Sequence, residues 1–167
     1  VLLSNNKVAA AGLAQLKGLT SLRGLYLDRT RMTDAGLVHL KEMTALQTLV
    51  LKGHKVTDAG LEHLKALKSL EMLTLEGEFY SSRGATLADG NKVTDAGLAH
   101  LQGLTNLQTL ILRGIQMTSA GLAHLKGLTS LQRLELDRTM VGDAGLGYLK
   151  GLKNLHTLGL DHTMVTD

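Results

Sequence analysis

The sequence predicts an α/β solenoid, and three observations lead there. Leucines recur every 24 residues, at Leu25, Leu49 and Leu73 and again at Leu110, Leu134 and Leu158. A fixed period of about 20 to 29 residues is the mark of a chain that stacks one coil on the next. The step from Leu73 to Leu110 is 37 residues, one period plus 13, so one insertion interrupts an otherwise regular array. Within each unit, a stretch of alternating apolar and polar residues gives way to apolar residues three apart, which is a strand followed by a short helix.

The unit Leu22 to Ala45 shows each element in turn. Leu22-Arg23-Gly24-Leu25-Tyr26-Leu27-Asp28 alternates with strand periodicity. Leu25 and Leu27 face a core, and Gly24, Tyr26 and Asp28 face outward. Met32 then turns inward. Thr33 or Asp34 is the expected N-cap, because a short side-chain oxygen accepts from unpaired amides at a helix start. Ala35 to Lys41 reads as a short helix that buries Leu37 and Leu40. Lys-Gly pairs close that helix at Lys17-Gly18, Lys126-Gly127 and Lys150-Gly151, with Glu42 and Ala66 in the glycine slot elsewhere. Seven strand positions follow, beginning at Val1, Leu25, Leu49, Leu73, Leu110, Leu134 and Leu158. One coil cannot bury its leucines, but stacked coils can.

Composition narrows the function classes. Aromatic residues are only 2% of the chain, so the core must be aliphatic. Cysteine is absent, which removes disulfides, thiolate metal sites and cysteine nucleophiles. The formal charge of +3 arises from 18 basic and 15 acidic residues, a mixed surface without a strong pull toward nucleic acid. No apolar run is long enough to span a membrane, and no signal peptide is recognisable. Val1 already stands in repeat phase and Asp167 stands where another helix is due, so the chain reads as a piece of a longer array.

Leu46-Gln47-Thr48-Leu49-Val50-Leu51, followed by Val56-Thr57-Asp58-Ala59-Gly60-Leu61-Glu62-His63-Leu64, resembles a leucine-rich repeat. The Asp-Ala-Gly-Leu helix start and the 24-residue period are similar to bacterial repeats near the ribonuclease-inhibitor-like class. The resemblance covers the whole chain outside the insertion. It implies a single right-handed horseshoe over residues 1–167, with a parallel sheet on the concave face, short helices on the convex face and an incomplete last coil. It also implies partner binding on the concave face and nearby loops. Asparagine of the family pattern stands only at Asn6 and Asn91; Thr30, His54, Ile115, Thr139 and Thr163 occupy the other equivalent positions.

The outward face can be read row by row. The central row is Leu2, Tyr26, Val50, Thr74, Ile111, Glu135 and Gly159; the next is Ser4, Asp28, Lys52, Glu76, Arg113, Asp137 and Asp161. Charge alternates from Asp28 to Asp137, and strands about 4.8 Å apart let such side chains pair. On one reading this row only neutralises itself and keeps the face soluble. On the other it is a polar rim beside an apolar strip of Tyr26, Val50 and Ile111, a layout suited to protein contact. Six strand spacings make the face about 29 Å across. The insertion, residues 78–90, carries Phe79, Tyr80 and Arg83, residue types favoured at binding hot spots. It reads either as a contact loop or as a tolerated surface loop.

Other chemistry finds less support. His39, His63, His100 and His124 recur one coil apart, too far to share a zinc ion across helices packed about 8–10 Å apart. Asp34, Asp58, Asp95 and Asp143 recur at helix starts, where capping and the helix dipole account for them. Ser81 and Ser82 sit in no nucleophile motif, and no glycine-rich phosphate loop is present. Lys17, Lys41, Lys65, Lys126 and Lys150 form a stripe at the helix ends, without the aromatics that stack on bases. The expectation is a non-enzymatic scaffold with no cofactor that binds a protein or peptide on Tyr26, Asp28, Val50, Lys52, Thr74, Glu76, Phe79, Tyr80, Arg83, Ile111, Arg113 and Glu135. The second reading is a structural spacer, or an array that associates end to end through uncapped coils.

Overall fold

A computed structural model describes residues 1–4, 10–16, 18–28, 32–52, 55–77 and 92–166. They form an open, seven-stranded parallel sheet in sequential order, β1 (Leu2–Ser4), β2 (Gly24–Asp28), β3 (Thr48–Lys52), β4 (Met72–Glu76), β5 (Thr109–Arg113), β6 (Arg133–Glu135) and β7 (Thr157–Gly159). Leu25, Leu49, Leu73, Leu110, Leu134 and Leu158 stand in one continuous register across β2 to β7. Leucines occupy the inward positions because the pleat sends alternate side chains to opposite faces. From Leu25 to Leu134 this row is fully buried, and Leu158 on the edge strand is 38% exposed.

The 37-residue step leaves the register of the described strands unbroken. Leu73 pairs with Leu110 as Leu49 pairs with Leu73, and Thr57 still bridges to Lys92. Residues 78–90, with Phe79, Tyr80 and Arg83, lie outside the described residues. Deleting Glu78 to Gly90 is expected to leave the circular-dichroism spectrum and melting cooperativity intact. A collapse of either on deletion would show that the insertion holds β4 and β5 together.

The convex elements differ from the expected single helices. Four of those described are α-helical turns that tighten into 3-10 turns: Asp34–Leu37 runs into Val38–Glu42, Asp58–Glu62 into His63–Ala66, Asp95–Leu98 into Ala99–Leu101 and Asp143–Leu146 into Gly147–Gly151. Ser119–His124 is 3-10 throughout. The apolar spacing explains this. Leu37, Leu40, Met43 and Leu46 are three apart and almost fully buried. Three residues per turn keeps every one of them on one side, whereas an α-helix rotates successive members away. Leu61, Leu64, Leu67 and Leu70 repeat the pattern, as do Leu98, Leu101, Leu104 and Leu107.

The aspartates at the helix starts do not cap their own helices. Asp34 accepts from the Thr57 backbone N–H (2.8 Å) and the Thr57 hydroxyl (2.6 Å), both one coil further on. Asp58 takes the same two bonds from Thr94, Asp95 from Thr118 and Asp143 from Thr166. Each hydroxyl that donates to aspartate keeps a lone pair for the helix that follows: Thr57 accepts from Ala59 N–H, Thr94 from Ala96 and Thr118 from Ala120. Threonine is therefore the N-cap, and aspartate is a staple between coils. Thr33 makes no such cap bond, and Ala10 stands in the aspartate slot of the coil before it. Between Ser119 and Gly142 a serine hydroxyl replaces the carboxylate.

The family's asparagine positions are filled otherwise. Thr139 is buried and donates to Leu136 C=O (2.7 Å), and Thr163 donates to Leu160 C=O (2.8 Å). Ile115 is buried in the core. Thr30, His54, Asn6 and Asn91 lie outside the described residues.

Candidate functional site: the outward sheet face

The ladder places the expected rows side by side. Leu2, Tyr26, Val50, Thr74, Ile111, Glu135 and Gly159 are in register, and beside them run Ser4, Asp28, Lys52, Glu76 and Arg113. The apolar strip is narrower than the alternation implies. Tyr26 is 36% exposed and Ile111 half-buried, but Val50 is only 7% exposed and Thr74 only 2%. Val50 and Thr74 thus form floor rather than contact surface. Gly24 gives Tyr26 its place: an added Cβ at Gly24 would stand 3.3 Å from the ring.

The charged row is ordered by pairing. Lys52 Nζ lies 3.2 Å from Glu76 Oε2. Arg113 Nη2 donates to Glu135 Oε2 at 2.7 Å, and Arg133 Nε donates to Glu135 Oε1 at 2.7 Å. Arg113 Nε also stands 3.0 Å from Asp137 Oδ2. That contact is electrostatic, since the N–H does not point along a hydrogen-bond line. Asp137 Oδ1 in turn accepts from Asp161 N–H.

Glu135 is the hub, with its side chain 6% exposed. Burial pushes its carboxyl up, but the bonds from Arg113 and Arg133 outweigh that push and hold it below its ordinary value of about 4.5. Arg113 is pushed upward, first by its bond to Glu135, against opposing burial. Gly159 makes the arrangement fit, since a Cβ there would come within 2.8 Å of Glu135 Oε2 and 2.9 Å of Asp137 Oδ1. Sequence reasoning placed Glu135 in the row but missed its role. The signal was present: Arg133 and Glu135 are two apart and so share a face, and the neighbouring row position is glycine.

A pH dependence follows with a definite sign. A carboxyl whose folded pKa lies below its unfolded value contributes stability above that unfolded value. The contribution is lost as pH falls through about 4.5 and below. The melting temperature should therefore fall more steeply between pH 5 and pH 3 in the parent chain than in Glu135→Gln. Parallel curves would show that Glu135 binds its proton equally in both states.

The histidines of the convex side are half-buried, and His124 Nδ1 lies 2.6 Å from Gln102 Nε2. Among the described residues, no group of three or more His, Asp or Glu could hold a metal ion, and no helix is long and apolar enough to cross a membrane. A shallow groove of about 330 Å³ lies along the rim where the strands begin, lined by Gln47, Ser69, Glu71, Asn106, Gln108 and Ser130.

No protein-family profile and no curated protein matches the chain. Solved structures do. An internalin C2 from Listeria monocytogenes str. 4b F2365 is 25% identical with a TM-score of 0.73, over 99% of this chain and 60% of that one. An internalin, InlF, from the same strain is 21% identical with a TM-score of 0.65, over 92% of this chain and 46% of that one. The leucine-rich-repeat ectodomain of the receptor kinase SOBIR1 from Arabidopsis thaliana aligns at 14% identity with a TM-score of 0.47, over 77% of this chain and 65% of that one. The architecture is a leucine-rich-repeat solenoid, and the chain spans less than two thirds of either internalin structure. Nothing in these likenesses places it near the ribonuclease-inhibitor-like class.

Proposed function

We propose that this leucine-rich-repeat array is a non-catalytic scaffold that binds a protein or peptide on its outward sheet face, with the loop at residues 78–90 as a second contact. The observation that carries the reading is a single in-register face on which Tyr26, Lys52, Glu76, Ile111 and Arg113 are exposed or half-exposed on one sheet. Lys52, Glu76 and Arg113 are also held by ion pairs before any partner arrives. Ordering side chains in advance lowers the entropy lost on binding. Asp28 completes the rim, and Val50, Thr74 and the buried Glu135 supply its floor.

The test is a pull-down with the intact array, followed by direct titration of the captured protein. The double variant Tyr26→Ala, Ile111→Ala should weaken binding by tenfold or more, about 1.4 kcal/mol, and deletion of 78–90 should weaken it separately. A partner that binds both variants as it binds the parent would overturn the assignment.

A further inference from the structure

The rim groove is separate from the rows on the sheet face. Its lining comes from two slots of four successive coils: Gln47, Glu71 and Gln108 from one, Ser69, Asn106 and Ser130 from the other. The backbone beneath is already satisfied. Gln47 C=O accepts from both Glu71 and Met72 N–H, Glu71 C=O from Gln108 and Thr109, and Gln108 C=O from Gln132 and Arg133. Asn106 Nδ2 donates to Lys68 C=O at 2.8 Å, which leaves its Oδ1 as an acceptor. The nearby Lys68 ammonium is engaged with Gly103 C=O. Glu71, at the centre, has no ion pair among the described residues. The groove therefore offers one carboxylate without an ion pair among the described residues, set between two amides, with a third amide and two hydroxyls along the same rim.

We infer that this groove takes a cationic side chain of the bound peptide, an arginine or a lysine, with Glu71 as its counter-charge and the amide and hydroxyl oxygens as further acceptors. Guanidinium fits best, because it presents five donors in a planar fork and accepts nothing. A neutral polyhydroxylated ligand would leave the carboxylate unmatched. An apolar ligand would leave polar side chains without water or partner. The inference rests on the peptide-binding reading above and specifies the chemistry of one anchor on the partner.

The test is nuclear magnetic resonance of the full chain titrated with N-acetyl-arginine amide, and with the uncharged N-acetyl-citrulline amide of nearly the same shape. The side-chain amide signals of Gln47, Asn106 and Gln108 should shift saturably with the arginine probe. The citrulline probe should bind about fivefold more weakly, and Glu71→Gln should cost the arginine probe about the same factor, the size expected for an exposed ion pair. Gln108→Glu, which adds a charge to the same rim, should tighten binding. Absence of saturable shifts, equal response to both probes, or arginine binding undiminished in Glu71→Gln would each overturn the inference. The Tyr26→Ala, Ile111→Ala variant separates the two proposals. Groove shifts that survive while partner binding is lost through other contacts leave the groove standing. Partner binding without any groove shift sinks the groove alone.

Discussion

Leu110→Asp is expected to abolish cooperative folding of the array. Leu110 is fully buried on β5, in register between Leu73 and Leu134. Removing a buried leucine side chain costs about 2–5 kcal/mol through lost transfer energy and the cavity left behind. The aspartate adds a second cost. Its neighbours in the buried row are leucines, so the carboxyl must either remain ionised in an aliphatic interior or take up a proton at neutral pH. Each unit of upward pKa shift costs about 1.4 kcal/mol. The sum rivals the total stability of about 5–15 kcal/mol usual for a folded domain. Array geometry sharpens the effect, since each coil is held only by its neighbours and a failed middle coil separates two short flanks. Leu110→Ala is the control: it should melt lower but still cooperatively. A Leu110→Asp chain with the parent's melting curve would remove Leu110 from the core.

The strands were legible because two periodicities agree on them. Alternation sets the inward leucines, and the 24-residue repeat sets which leucine meets which. The rows of the sheet face follow from the same two numbers, which place Tyr26, Lys52, Glu76, Ile111 and Arg113 on one face. The helices were legible in position but not in type, although the spacing of Leu37, Leu40, Met43 and Leu46 carries the 3-10 signal directly. Asp34 and Asp58 were assigned to the wrong partner, because local chemistry supplies a sufficient role for an aspartate at a helix start. Their actual partners, Thr57 and Thr94, lie 23 and 36 residues away. The rim groove was invisible for a related reason: each coil contributes at most two lining residues, and none of them breaks the repeat. The identity of the partner is a property of the rows' detail rather than of the repeat, and repeats specify fold far more strongly than function.

Gly97→Ala tests the staple between coils, and its expected cost is out of proportion to one methyl group. Gly97 belongs to the helix Asp95–Leu98 and is buried. A Cβ built on it would overlap Asp58 Oδ1 and stand 3.2 Å from Asp58 Cα. Asp58 cannot simply swing aside, because its two oxygens hold the Thr94 N–H and hydroxyl at 2.8 and 2.7 Å. The same overlap recurs between Gly60 and Asp34 and between Gly121 and Asp95. Glycine in the Asp-Ala-Gly-Leu start is therefore room for the preceding coil's carboxylate. Overpacking of this kind costs about 1–3 kcal/mol. Gly127→Ala, where an added Cβ meets nothing within 4 Å, should be neutral or stabilise slightly. Asp58→Ala alone should cost about 1–3 kcal/mol, since it strands a partly buried N–H. The double variant, Asp58→Ala with Gly97→Ala, carries the decision. With the carboxylate gone, the methyl group added at position 97 has the space it lacked, so the two costs should fall short of additive by about 1 kcal/mol or more. Strict additivity in urea unfolding would mean that glycine at this position serves something other than Asp58.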